Sequence, residues 1–500
     1  MIPRDLDGKT IVSRLYLEKS LEKNLEMFKE LFKNDDTLVV REITIRGKIP
    51  VKVAVIFFDG MVNNLSIAES IIEPMLKIKE NDLVKITAKT IANSVLEVND
   101  AVVTDNMTEI LGKFLYGDSL ILVDGDFCGI VVNTKGFLLR SISEPESEKV
   151  LSGPREGFIE GFMMNLSLIR RKIKSPDLKF QFIELGTVTK TTAVICYIEG
   201  VCEREIIKTF EKRIKKFALD SAIDVNYVIE SIKDSKFSPF PTMGTTERPD
   251  VFVAKILEGR VGLILDGTPV AVTAPHIFME SFQSNDDYYM NYLYANIARM
   301  LRIFGFLFNI SIPSIFLAMI TFHQELIPTK LLFSISMARD GVPFPAIVEA
   351  LVLVFIFEIL KEAGTRTPAS IGQTLSIVGA LVLGQAAVDA RFVSVPMVIV
   401  VAFSGITALT VPKLKVPSVV FRIILLILSS IIGLYGLIFG ICIIILHICS
   451  IRSFGVPYVT NISSVRVGDL KDNVFRFPWT LMRPNHRFIS EDSPEETSGD

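Results

Sequence analysis

Charged residues thin out between Arg302 and His447, and the chain there runs into long apolar stretches, which restrict its fold more than any other feature. Residues 303–322 carry no charge at all, and about 20 apolar residues is the length an α-helix needs to cross a bilayer core. Further stretches at 344–360, 371–388, 392–411 and 419–449 follow. Hydrocarbon admits only structures that satisfy their own backbone hydrogen bonds, so an all-α, multi-span membrane domain of four to six apolar segments is expected over 296–450. Pro313 is tolerable there only where a neighbour takes up the backbone group it frees. Gly372, Gly379, Gly384, Pro396 and Gly405 interrupt the middle stretches, and only Asp389, Ala390 and Arg391 separate them. Residues 371–411 therefore read as a helical hairpin or re-entrant pair. The last stretch, 419–449, is long for one span and should tilt or project. Gly433, Gly436 and Gly440 within it are candidates for close helix packing.

Glu349 and Glu358 fall inside the second stretch. A central charge costs roughly 2.5–3.5 kcal/mol on insertion, and each strongly apolar residue returns only about 0.3–0.6. Two ionised carboxylates nearly cancel the insertion energy, so they should face protein or water, or else lie near enough to a span end to reach the interface. Nine residues apart, they point to opposite faces of a helix. Gln385 and Asp389 stand i and i+4 on one face. With Gln373, these make Glu349, Glu358, Gln373, Gln385 and Asp389 the candidate polar residues of an ion path.

The front half is of another kind. Leu17, Leu21, Leu25, Phe28 and Phe32 recur at helical spacing among Glu and Lys. Then the period changes: 38–45 alternates, 51–58 is β-branched and aromatic, and Asp59-Gly60 punctuates it. A second copy follows. Ala54-Val-Ile-Phe-Phe-Asp59-Gly60 has a counterpart in Ala193-Val-Ile-Cys-Tyr-Ile-Glu199-Gly200, and Leu120-Ile-Leu-Val-Asp124-Gly125 one in Leu263-Ile-Leu-Asp266-Gly267. Both pairs lie about 140 residues apart in the same order. The fold class expected is an α+β or α/β region of two related subdomains, 1–150 and 151–295, ahead of the helical membrane domain. The acidic-Gly dipeptides read as turn chemistry. Gly153-Pro154 reads as a helix start, with Arg170, Arg171 and Lys172 at the favourable end of the dipole.

No catalytic grouping stands out. His276, His323, His447 and His486 are scattered, and the five cysteines form no CxxC pair. Neither a cofactor nor a metal is expected. A net charge of −3 with interspersed signs offers nucleic acid no footprint. Residues 1–33 are charged and amphipathic, without the apolar core of a signal peptide, so the front half should be cytoplasmic. The tail, 451–500, is basic and then acidic, and is expected to be cytoplasmic and disordered at its end. Termini on one side require an even number of crossings. Four spans plus a re-entrant element satisfy that.

Several short motifs, in order, carry a resemblance. They are Ser152-Gly-Pro-Arg-Glu-Gly-Phe-Ile-Glu160, Thr246-Glu-Arg-Pro-Asp250, Leu257-Glu-Gly-Arg260, Asp266-Gly-Thr-Pro269 and Asp287-Tyr-Tyr289. They continue with Gly341-Val-Pro-Phe-Pro345, Phe357-Glu-Ile-Leu360, Glu362-Ala-Gly364, Ile371-Gly-Gln373, Val378-Gly-Ala380 and Gly384-Gln-Ala386. Through them the chain resembles the A subunits of GerA-type spore germinant receptors over nearly its whole length. The stage V sporulation AF protein is similar too. The resemblance implies a non-enzymatic, multi-pass subunit of the spore inner membrane or cell membrane. Its partners would be a permease-like B subunit, a lipoprotein C subunit, membrane lipid and further copies of itself. It further implies an oligomer that conducts or gates cations, or else a non-conducting scaffold that docks the nutrient-binding partner.

Overall fold

The β-branched strands β1 (Leu38–Ile45) and β2 (Val51–Phe58) pair antiparallel, Leu38 against Phe58 through Ile45 against Val51. In the computed structural model they open a five-stranded sheet of order β1-β2-β4-β5-β3, with β3 Ala101–Thr104, β4 Ser119–Val123 and β5 Gly129–Val132. The structure describes residues 3, 10–46, 50–78, 86–136, 148–366, 384–459, 472, 474–478 and 480. Alternation along the strands sends side chains to two cores. Ala54, Ile56, Phe58, Leu120 and Leu122 meet helices α1 (Leu21–Leu31) and α2 (Met107–Phe114). Val53, Val55, Ile121 and Val123 meet Ile67, Ile71, Met75 and Ile91 on the other side.

The second sheet repeats the first in order, β6-β7-β9-β10-β8. Its strands are β6 (Leu178–Leu185), β7 (Thr191–Ile198), β8 (Gly244–Thr246), β9 (Val261–Leu265) and β10 (Ala271–Ala274). Helices α3 (Phe162–Lys172), α4 (Arg204–Ile214), α5 (Val225–Ile232) and α6 (Pro249–Leu257) accompany it. The likeness reaches individual hydrogen bonds. Asn24 bonds the backbone N–H and C=O of Glu18 at 2.8 and 2.6 Å, and Asn165 does the same for Ile159 at 2.9 and 2.6 Å. Gly125 N donates to Lys19 O as Gly267 N does to Glu160 O. The acidic-Gly dipeptides are turns: Gly60, Gly125, Gly200 and Gly267 all take positive φ, between 78° and 88°, which glycine adopts without steric cost.

One expectation fails here. The chain at Gly153-Pro154 is not a helix start; the helix begins at Phe162 after Gly161. Tertiary bonds hold the preceding segment extended. Pro154 O accepts from the buried Arg248 Nη2 at 2.6 Å, and Phe158 N donates to Glu247 O at 2.7 Å. Arg171 and Lys172 pair with Glu156, and their hydrogen bonds outweigh burial to hold its carboxyl below the usual range. The helical spacing read from Leu17 to Phe32 likewise becomes a helix only from Leu21, where Ser20 supplies the cap.

Within this first unit a buried ion pair joins the two sheets' surroundings. Arg170 Nη2 lies 2.5 Å from Asp35 Oδ2, with the guanidinium 4.2 Å from the Phe58 ring centre and 4.8 Å from that of Phe180. Lys179, also buried, donates to Leu31 O at 2.7 Å and to Pro176 O at 3.0 Å.

The remaining chain, residues 234–242 and 276–482, forms a second, helical unit. Among the described residues, two of its helices are long and apolar enough to cross a membrane by length and composition: α7 (Tyr292–Thr321) and the stretch Pro412–Ile432. Between them lie α8 (Thr329–Arg339), α9 (Ala346–Arg366) and the shorter apolar α10 (Val395–Ala408). The stretch 419–449 is not one long span. It breaks at Gly433 into α11 (Lys415–Ile432) and α12 (Leu434–Ser450). Gly433 has φ 67° and ψ −141°, a region essentially reserved for glycine, and the chain folds back there. Gly436 and Gly440 then lie against Leu428 and Leu425 of α11, so close that an added Cβ on Gly436 would sit 2.2 Å from Leu428 O.

Candidate functional site

A proline inside a helix removes one hydrogen bond and frees the carbonyl four residues earlier. Pro313 lies in α7, and the carbonyl it frees is that of Asn309. Ser404 of α10 takes it up, donating from Oγ at 3.0 Å. Around this bond a buried polar cluster assembles. Arg422 of α11 donates from Nη1 to Asn309 Oδ1 and to Ser404 Oγ, both at 3.2 Å. Its Nη2 reaches the Glu358 carboxylate of α9, which also accepts from Lys361 Nζ at 3.0 Å. Asn309, Ser404 and Arg422 are each at most 1% exposed. Four helices of largely apolar composition thus meet at one polar point, where two cations share the Glu358 carboxylate.

Glu349 builds a second node at the opposite face of α9. Its Oε1 accepts from Arg339 Nη2 at 3.2 Å, and its Oε2 from the N–H and Oγ of Ser394 at 3.0 and 2.8 Å. Ser394 immediately precedes α10, so the carboxylate sits at the N-terminal end of that helix, where the dipole favours negative charge. Each of the two carboxylates therefore has an arginine partner, and each ties α9 to neighbouring helices. Glu349 is buried and Glu358 half-buried, and carboxylates withdrawn from water keep their charge when paired in this way.

The remaining candidates lie apart from this cluster. Gln385 donates to Asp389 Oδ1 at 3.0 Å, and both side chains are exposed. Gln373 lies outside the described residues. Arg422, Asn309, Ser404 and Arg339 were not singled out from the sequence. Arg422 carried a usable signal, because a lone cation in an apolar run needs a counter-charge. Asn309 and Ser404 carried none, since neutral polar residues are ordinary in such helices.

Three of the motifs behind the resemblance hold arginines in place, while Ile371-Gly-Gln373 and Val378-Gly-Ala380 lie outside the described residues. Arg248 pairs with Asp250 at 2.8 Å, Arg260 pairs with Glu258 at 3.0 Å and donates to Pro275 O, and Asp287 holds both Arg299 and Arg302. They fix the frame; none of them forms an open site.

Comparison with known proteins gives one family. Residues 26–488 match the model of the Bacillus/Clostridium GerA spore germination protein. Over 467 residues the chain is 39% identical to spore germination protein KA of Bacillus subtilis (strain 168), covering 93% of this chain and 85% of that protein. It is 30% identical over 478 residues to spore germination protein GerLA of Bacillus cereus, covering 95% and 96%. Among solved structures it is similar to the N-terminal domain of the A subunit of the Bacillus megaterium spore germinant receptor GerK3. That match has 31% identity and a TM-score of 0.43, over 53% of this chain and 98% of that one.

Proposed function

The chain belongs to the GerA family of spore germination proteins, and we propose that it is a multi-pass membrane subunit of a nutrient germinant receptor acting in bacterial spore germination. In this reading it works with a permease-like B subunit and a lipoprotein C subunit, and copies of it assemble to conduct or gate cations. The observation that carries the reading is the set of charged nodes inside an apolar helical unit, Glu349 with Arg339 and Glu358 with Arg422. A passive anchor needs none, because each charge there costs insertion energy. The exposed pair Gln385 and Asp389 is the part left to face a conduction path formed with neighbouring copies.

The second reading is a non-conducting scaffold that docks the nutrient-binding partner. It is favoured by the pairing of both carboxylates, which leaves Glu349 and Glu358 as joints between helices. Reconstituting the chain in bilayers and recording cation currents separates the two. Asp389→Ala should lower conductance with the amount of folded protein unchanged. A chain that stays monomeric and passes no ions refutes the conduit and leaves the scaffold.

A further inference from the structure

The second sheet's outer end presents a surface that its own core does not use. α4 buries Ile206, Phe210 and Ile214 and turns Lys208, Lys212, Lys215 and Lys216 outward. Residues 204–216 hold six basic and two acidic side chains. The four lysines line an open groove with Glu211. Beyond this helix, two loops are bolted together: Val188 N and Thr189 N donate to Asp220 O at 2.9 and 3.3 Å, and Thr187 Oγ1 to Asp220 Oδ1 at 2.7 Å. This rigid pair projects apolar side chains into solvent. Val188 is 77% exposed and Ile223 66%, with Leu219 and Tyr227 beside them at 43% and 46%.

Basic residues flanking protruding apolar and tyrosine side chains match the two layers of an anionic membrane surface, headgroup charge over acyl chain. We propose that this patch, the lysine face of α4 with the loop tips at Val188 and Ile223, docks on the headgroups of anionic phospholipid. The occupant is argued from charge complementarity and from the chain itself. Two of its helices have the length and composition to cross a bilayer. A lipid surface is thus the anion always present at high local concentration.

The test uses the full chain in nanodiscs, with a fluorescent non-natural amino acid at position 223 and, as a control, at Leu65, another exposed apolar position. Brominated phosphatidylglycerol should quench the probe at 223 and not the one at 65. The quadruple variant Lys208→Glu, Lys212→Glu, Lys215→Glu, Lys216→Glu should lose the quenching by about threefold or more, as should 0.5 M salt. These changes are on the surface, so the variant's unchanged melting temperature certifies its fold. Absence of quenching at 223 overturns the proposal. So does quenching equal in neutral phosphatidylcholine and in the charge-reversed variant. Crosslinking of position 223 to a second copy without quenching would assign the patch to a protein partner and overturn it too.

Discussion

Arg170 and Asp35 offer the sharpest test of what holds the first unit together. Their side chains are 1% and 0% exposed, so neither charge has water to fall back on. Arg170→Met leaves the Asp35 carboxylate with only Thr37 as donor, through its N–H at 3.2 Å and its hydroxyl at 2.6 Å. Breaking a buried pair by removing one partner costs about 3–5 kcal/mol. For a unit of this size each kcal/mol moves the melting temperature by about 2–4 °C, so a fall of roughly 6–20 °C is expected. The pair is imperfect, because Arg170 Nη1 is buried without a hydrogen-bond partner. Replacing both members should therefore cost much less than the two single changes summed. Asp35→Asn keeps the acceptor that Thr37 uses, and the double variant Arg170→Met, Asp35→Asn should recover more than half of the loss. Thermal unfolding of the detergent-solubilised chain, completed as a double-mutant cycle, measures this. A single variant within about 1 kcal/mol of the parent, or a strictly additive cycle, would refute the idea that the charges are coupled.

Other consequences are open to measurement. Gly436→Val places side-chain atoms where Leu428 O already stands, and overpacking of this order should cost about 1–3 kcal/mol, read as a lower melting temperature in detergent. Arg422→Leu leaves the half-buried Glu358 carboxylate with Lys361 as its remaining cation and Asn309 and Ser404 without their donor, so a loss of about 1–3 kcal/mol is expected, whereas Arg422→Leu with Glu358→Gln should restore part of it; equal loss in both would sink the pairing. Burial lowers the Lys179 ammonium below its ordinary 10.5. Between that lowered value and 10.5 the unfolded chain binds the extra proton, so the lysine's penalty is full below the window and fades as pH rises through it. The stability of the parent relative to Lys179→Met should accordingly climb toward pH 10.5, and a flat difference curve would contradict the burial argument.

How far the sequence carried differs from element to element. Strands β2 and β4, with their acidic-Gly turns, were legible because alternation, β-branching and a positive-φ glycine are all local signals. Their recurrence in β7 and β9 was legible for the same reason. The segment at Pro154 misled because its partner, Arg248, lies far along the chain, and a local helix-start pattern cannot register a carbonyl held from a distance. The break at Gly433 was hidden in an unbroken apolar run: hydropathy measures burial from water and is blind to direction. Of the polar cluster, Glu358 was visible as a misplaced charge, yet its mate Arg422 is 64 residues on. The sequence told that a counter-charge was needed, not which.

The reversal at Gly433 also changes where the chain's path comes out. Taken as one run, 419–449 made five apolar stretches, an odd number that sets the front half and the basic tail on opposite faces if every stretch crosses. Folded back, the run supplies two strokes of 18 and 17 residues, each about 26 Å long at the helical rise. The second stroke runs back along the first, Gly436 and Gly440 against Leu428 and Leu425, so Ser450 emerges at the end of the hairpin from which Lys415 set out.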